Sequence, residues 1–206
     1  HYDHANGMGK FFEINEKAPF YLQEGCGENC YFKKGFVRKY IGIPKGITKR
    51  YQDRIKYVSG ICPIAEGIYL VSHSTPHLEQ IGKKEMMYQK TKLGWKPDNF
   101  CHEQSLVLDT DSGLVIFNSC SHGGVVNIIN EVKAAFPNKK ITALIGGFHI
   151  FNHPEEEIRE LAKLIKETGI ERIYTGHCSK ERGYRILREE LGDMAGQFYV
   201  GMELEF

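Results

Sequence analysis

At 206 residues the chain is long enough to bury one full core, and 27 Lys plus Arg against 26 Asp plus Glu leave a formal net charge of +1. So even a balance excludes a long-range field drawing the protein to nucleic acid or an anionic membrane. No apolar run approaches the ~18 residues that a membrane span requires. Six irregularly spaced cysteines read as reduced thiols rather than a disulfide framework, so the default location is cytoplasmic. The first residue is His1 rather than Met, and the reading treats the true start as processed or absent.

In chain order, a short helix is expected around Phe11 to Asn15, then a strand at FYLQ. Within GCGENC, Cys26 and Cys30 could be half of a zinc site. No second pair follows, so both are expected to be free thiols remote from any metal pocket. The stretch from Tyr31 to Tyr57 is aromatic and basic, which suits either a wet surface with amphipathic side chains lying along it or a substrate contact. A strand, GIYLVS, leads into a polar loop from His73 to Asp98, long enough to suggest a lid or a flexible segment.

From Ser105 onward the pattern becomes regular. SLVLDT and GLVIFNS, joined by Asp111-Ser112-Gly113, read as a hairpin. Val125, Ile129, Val132 and Phe136 form a helical stripe, and ITALIGG reads as a buried strand. A second helix runs between Pro154 and Gly169 with Ile158, Leu161, Ala162 and Ile165 on one face. RIYTG, a helix carrying Tyr184, Leu187 and Leu191, and a terminal strand near QFYVGMELEF complete an α/β alternation.

The chemistry is concentrated in histidines. HYDHANG packs His1, Asp3 and His4 together at the opening, a donor set suited to zinc or another transition metal. Others fall where strands terminate: His102 before SLVLDT, His122 after GLVIFNSCS, His149 after ITALIGG and His177 after RIYTG. Residues just past the carboxyl ends of strands line the crevice where α/β sheets bind ligands, so these can meet there. His73, His77 and His153 lie in polar stretches and are expected outside that pocket. Gly123 and Gly124 open a helix whose N–H groups could hold an anion, although a tight strand-to-helix turn explains them as well.

HYDHANG resembles the end of the H-x-H-x-D-H motif of the metallo-β-lactamase superfamily. FCHEQSLVLDTDSGLVIFNSCSHGGVVNII, LIGGFH and YTGHCS resemble, in order and spacing, its dihydropterin-ribofuranosylaminobenzene phosphate synthase branch, most of whose members are called metal-dependent hydrolases. The resemblance implies an αβ/βα sandwich lacking its first N-terminal strands, as one domain over 1–206 with 31–100 as a variable insertion or lid. It implies two divalent ions, zinc first and manganese or iron otherwise. His1 then serves one metal, Asp3, His4 and His177 the other, and His102 takes the third-motif position. Cys120 falls near the bridging position, with His122 favoured over it as ligand, while His149 is a further ligand or an oxyanion donor. Asp3 and His149 are the catalytic candidates; His149, Gly123 and Gly124 would face the substrate. The implied activity is hydrolysis of a small phosphorylated or ester substrate. The alternatives are a pterin-transferring synthase that releases pyrophosphate, and a catalytically silent metal-binding protein. A missing first motif histidine and missing strands would weaken metal binding and favour a homo-oligomer.

Overall fold

The β-branched runs of the second half pair into one seven-stranded sheet, seen in a computed structural model that describes residues 1–206. Its strands lie in the order Ala195–Gln197, Arg172–Thr175, Ile141–Gly146, Gly113–Phe117, Gln104–Thr110, Ile68–Ser72 and Ile61–Ala65. The first four run parallel and the last three pair antiparallel. The hairpin is as expected, with Gly113 opposite Thr110. The expected helices form at Val125–Ala135, Glu155–Glu167 and Lys180–Leu191. Three glutamates in the first turn of the second of these complement its N-terminal dipole, and Gly169 just beyond its end takes φ +78.

Alternation along the strands explains how both sheet faces are covered. Leu114, Ile116, Leu144 and Ile173 point into a core built with helix residues Ile128, Ile129, Ile158, Ile165 and Leu187, all fully buried. Their neighbours Val115, Ala143 and Tyr174 face the other way, where Phe198, Met202, Leu204 and Phe206 pack against them. The terminal strand expected over QFYVGMELEF is therefore a correction. Only Ala195–Gln197 pairs, and the rest of the tail covers the sheet through every other side chain without joining it.

The chain divides into two compact units, His1–Ser59 with Pro76–Glu103, and Gly60–Thr75 with Gln104–Phe206; the seven-stranded sheet belongs to the second. In the first unit, Val37–Tyr40, Cys30–Lys34, Met87–Thr91 and Gly94–Pro97 form an antiparallel sheet in that order, and Phe20–Gln23 pairs in parallel with Ile55–Val58. One small core joins Met8, Phe12, Ile43, Ile47 and Ile55; another joins Cys30, Ile41, Leu78, Met87 and Phe100.

Two expectations change here. The segment from His73 to Asp98 is not a structureless loop, because it holds the helix Glu79–Lys84 and a hairpin that pairs back onto Cys30–Lys34. The aromatic, basic stretch forms strands and turns whose cations lie over rings, Arg38 on Trp95, Lys45 on Tyr40 and Lys33 on Tyr88, which accounts for its composition as an amphipathic surface. No helix is long and apolar enough to cross a membrane.

Candidate metal centre

Parallel pairing of Gly113–Phe117, Ile141–Gly146 and Arg172–Thr175 brings their carboxyl ends to one edge of the sheet. The loops that follow carry His122, His149 and His177. They are strained: Ser121, His149, His177 and Lys180 all hold left-handed φ between 52 and 55. Non-glycine residues there cost of order 1–3 kcal/mol each and persist where surrounding structure over-determines them, commonly at functional sites.

What holds them is visible in the hydrogen bonds. Ser121 N–H donates to Asn118 Oδ1 at 3.1 Å, and Asn118 Nδ2 donates to Ser105 Oγ at 2.8 Å. Gly147 N–H donates to Ser119 O at 2.7 Å, Phe148 N–H to Ser179 Oγ at 3.0 Å and His149 N–H to Cys178 Sγ at 3.2 Å. The glycines of LIGGFH permit this closeness, since a Cβ on Gly146 would lie 2.4 Å from Asn118 O and one on Gly147 would lie 2.5 Å from Cys178 Sγ.

Two groups result. The rings of His122 and His149 lie 4.4 Å apart. Ligand atoms of Cys120, His149 and Cys178 all lie within 4.8 Å of one another. The Cys178 thiol is held well below its ordinary range by a hydrogen bond with Cys120 and by the His149 backbone and ring, against the opposing effect of burial. Nδ1 of His149 is buried and, although the ring interacts electrostatically with Cys178, completes no hydrogen bond of normal geometry. A buried polar atom left this way is costly unless an ion or a substrate oxygen answers it, so a transition metal or an oxyanion fits there.

His73 is the residue that sequence reasoning placed wrongly. Ile68–Ser72 runs in the same direction as Gly113–Phe117, because each is antiparallel to Gln104–Thr110; His73 therefore leaves the sheet at the edge that carries His122. Its ring lies against the turn into Val125–Ala135, where a Cβ on Gly123 would meet His73 Cε1 at 2.4 Å. The signal was available, since the GIYLVS strand directly precedes it. His77 is exposed beside Glu79, and His153 pairs with Glu157.

Glu131, from that helix, fixes the His73 segment. Its Oε2 lies 2.9 Å from His73 Nδ1, and Oε1 accepts from Ser74 N at 3.0 Å, Thr75 N at 2.9 Å and Thr75 Oγ1 at 2.6 Å. Burial alone would raise the Glu131 pKa, but His73 and Thr75 outweigh it and hold the carboxyl below its ordinary value. Its stabilising contribution is thus present above the unfolded value near 4.3 and lost as pH falls through the lower folded value. Glu131→Gln is expected to cost about 1.5–3 kcal/mol in urea unfolding at pH 7 and to lose most of that difference once the pH has fallen through the lowered folded value. An equal cost at both pH values would show that the charge contributes nothing.

The first unit holds a separate group. One ligand atom each from His1, Cys30, Asp98 and His102 lies within 4.8 Å of the others. His102 Nε2 is 3.1 Å from Asp98 Oδ2, and the His1 and His102 rings meet edge to face at 5.3 Å. Burial opposes both charges, yet Asp98 sits below its ordinary range through His102, and His102 well above its own through Asp98 and Cys30. Asp3 and His4, on the short helix Tyr2–Ala5, stand apart from this group and face each other at 3.7 Å. All six cysteines are free, as expected. The expected remoteness of Cys30 is corrected, because pairing of Cys30–Lys34 with Met87–Thr91 buries its thiol beside His1 and His102.

The sheet and its strand-end loops bring side chains of metal-ligating type to one edge. No family model matches the chain. Over its whole length it is 25% identical to the 7,8-dihydropterin-6-methyl-4-(beta-D-ribofuranosyl)-aminobenzene-5'-phosphate synthase of Methanocaldococcus jannaschii, covering 72% of that protein. A solved structure described as a metal-dependent hydrolase of the beta-lactamase superfamily matches with a TM-score of 0.78 and 25% identity, over 93% of this chain and 73% of that one. Both likenesses support the resemblance to the metallo-β-lactamase superfamily. With an enzyme on each side of the comparison, the catalytically silent reading is set aside.

Proposed function

We propose that the protein hydrolyses a small phosphorylated or ester-containing molecule with two divalent ions, zinc first, held by His1, Asp3, His4, His102, His122 and His177. His149 and the Gly123–Gly124 turn would face the substrate. The observation that supports this reading is the buried, unanswered Nδ1 of His149 in a strained loop beside His122. An ion with an open position would supply Lewis acidity and lower the pKa of a bound water to about 7. The chain's own residues do the rest. Asp3 would accept the proton of the attacking water, and His149, held in its loop by the bond from its N–H to Cys178 Sγ, would donate to the developing oxyanion. Six free cysteines fit a reducing cytoplasm.

The metal-loaded protein should hydrolyse bis(p-nitrophenyl) phosphate or a simple aryl ester. That rate should fall at least ~10²-fold with a chelator and return with added zinc or manganese. A rate indifferent to chelation would overturn the reading. The likeness to a synthase, over all of this chain and 72% of that protein, favours one alternative, transfer to an aromatic carbon with loss of pyrophosphate from a pterin. Pyrophosphate release that requires both organic substrates would identify it.

A further inference from the structure

We propose that His1, Cys30, Asp98 and His102 form a closed, thiolate-containing metal site within the first unit. The proposal rests on the metal-dependent reading above and adds to it two ligands, Asp98 and Cys30, of which the sequence pattern offered only Cys30, as half of a site with no second pair.

The four residues come from separate places. His1 precedes the first helix, Cys30 opens the strand Cys30–Lys34, Asp98 follows the strand Gly94–Pro97, and His102 lies in the next turn. No two-cysteine spacing connects them; the long-range pairing of Cys30–Lys34 with Met87–Thr91 brings Cys30 towards Asp98 and His102, and Tyr2 N–H donating to Ile41 O at 2.9 Å ties down the segment of His1. Bonds of about 2.0–2.1 Å to nitrogen and oxygen and about 2.3 Å to sulfur put tetrahedral ligand atoms roughly 3.3–3.8 Å apart. The observed limit of 4.8 Å closes to that range through small side-chain rotations.

The support around Asp98 is already in place. The residue is fully buried, and its Oδ1 accepts from Gln89 Nε2 at 2.8 Å and from Phe100 N at 2.9 Å, leaving Oδ2 directed at His102. Phe100 holds a left-handed φ of 53 to make this bond. Gly82 lets the segment approach, because a Cβ there would lie 2.0 Å from Asp98 O. Oriented carboxylates of this kind are the usual support of ligand shells.

An internal ion pair is the competing account. Asp98 and His102 alone would satisfy it, and a buried pair of that kind is only weakly stabilising. It leaves the buried thiol only apolar packing and its interaction with His102, and the second imidazole only an edge-on ring contact. A borderline cation uses all four donors, and a thiolate with two imidazoles selects zinc, cobalt or ferrous iron over magnesium or calcium. Four protein ligands leave no open position, so this ion holds structure and binds no attacking water.

The test is cobalt substitution of the full chain with metal analysis. Wild type should show a thiolate-to-cobalt charge-transfer band. Cys30→Ser should lose the intensity due to that thiolate and bind one ion fewer per chain, whereas Cys101→Ser should change neither. Cys30→His guards against misfolding, because it should retain the ion while losing the band. Identical spectra and metal content in wild type and Cys30→Ser would overturn the proposal and leave an internal ion pair only. Chelator-sensitive hydrolysis without the Cys30 band sinks this inference alone; the band without metal-dependent hydrolysis sinks the functional reading and leaves the site standing.

Discussion

Replacing His149 with Leu should lower hydrolysis by about 10²-fold or more and at the same time raise the stability of the metal-stripped protein by about 1 kcal/mol. The two effects have one origin. Nδ1 is buried and makes no hydrogen bond of normal geometry, so the folded chain carries its desolvation cost until an ion or substrate oxygen is present. The backbone bond from His149 N to Cys178 Sγ does not involve the ring and survives the change, which keeps the loop in register. Leu fills a similar volume against Phe151, which meets the His149 ring edge-on at 5.3 Å. Sites that hold groups ready for reaction commonly trade stability for activity in this way. Urea unfolding and initial rates on the same preparations decide it. A variant that is both less stable and less active would mark His149 as an ordinary packing residue, and one with full activity would remove it from the site.

Why some of this was legible and some was not follows from the range of the interactions. The hairpin 104–117 and the three long helices are local: a two-residue period with a turn, or an apolar stripe flanked by Pro and Gly, is complete within one window of sequence. The first unit's sheet is not local. Val37–Tyr40 has three exposed residues out of four, and Cys30–Lys34 finds its partner Met87–Thr91 more than fifty positions away, so neither strand carries a readable alternation. The same distance hid Asp98 from any motif and left Cys30 of GCGENC without visible partners. His73 was lost for a different reason, since its strand was read correctly but its direction within the sheet depends on two antiparallel pairings. The strand-end histidines were legible because parallel strands joined by helices place their carboxyl ends on one edge whatever the details of packing.

At that edge a single methyl group should also be costly. Gly146 closes the strand Ile141–Gly146 beside Gly113–Phe117, and a Cβ on it would stand 2.4 Å from Asn118 O, 3.1 Å from its carbonyl carbon and 3.5 Å from its Cα. All three atoms are backbone and cannot rotate away. Relief requires the two strand ends to separate, and Asn118 anchors the loop to Cys120 and His122 through its bond from Ser121. Gly146→Ala is therefore expected to cost about 3 kcal/mol or more, beyond ordinary overpacking, and to disorder the His122–His149 contact. Gly169→Ala provides the comparison. There φ is +78 but nothing lies within 4 Å of the added Cβ, so only the left-handed backbone is penalised, at about 1–2 kcal/mol. Urea midpoints should thus rank wild type above Gly169→Ala and Gly169→Ala above Gly146→Ala, with hydrolysis retained in the former variant and lost in the latter. Equal midpoints for the two variants would mean that the strand ends yield easily, and the rigid edge assigned to holding the site would have to be abandoned.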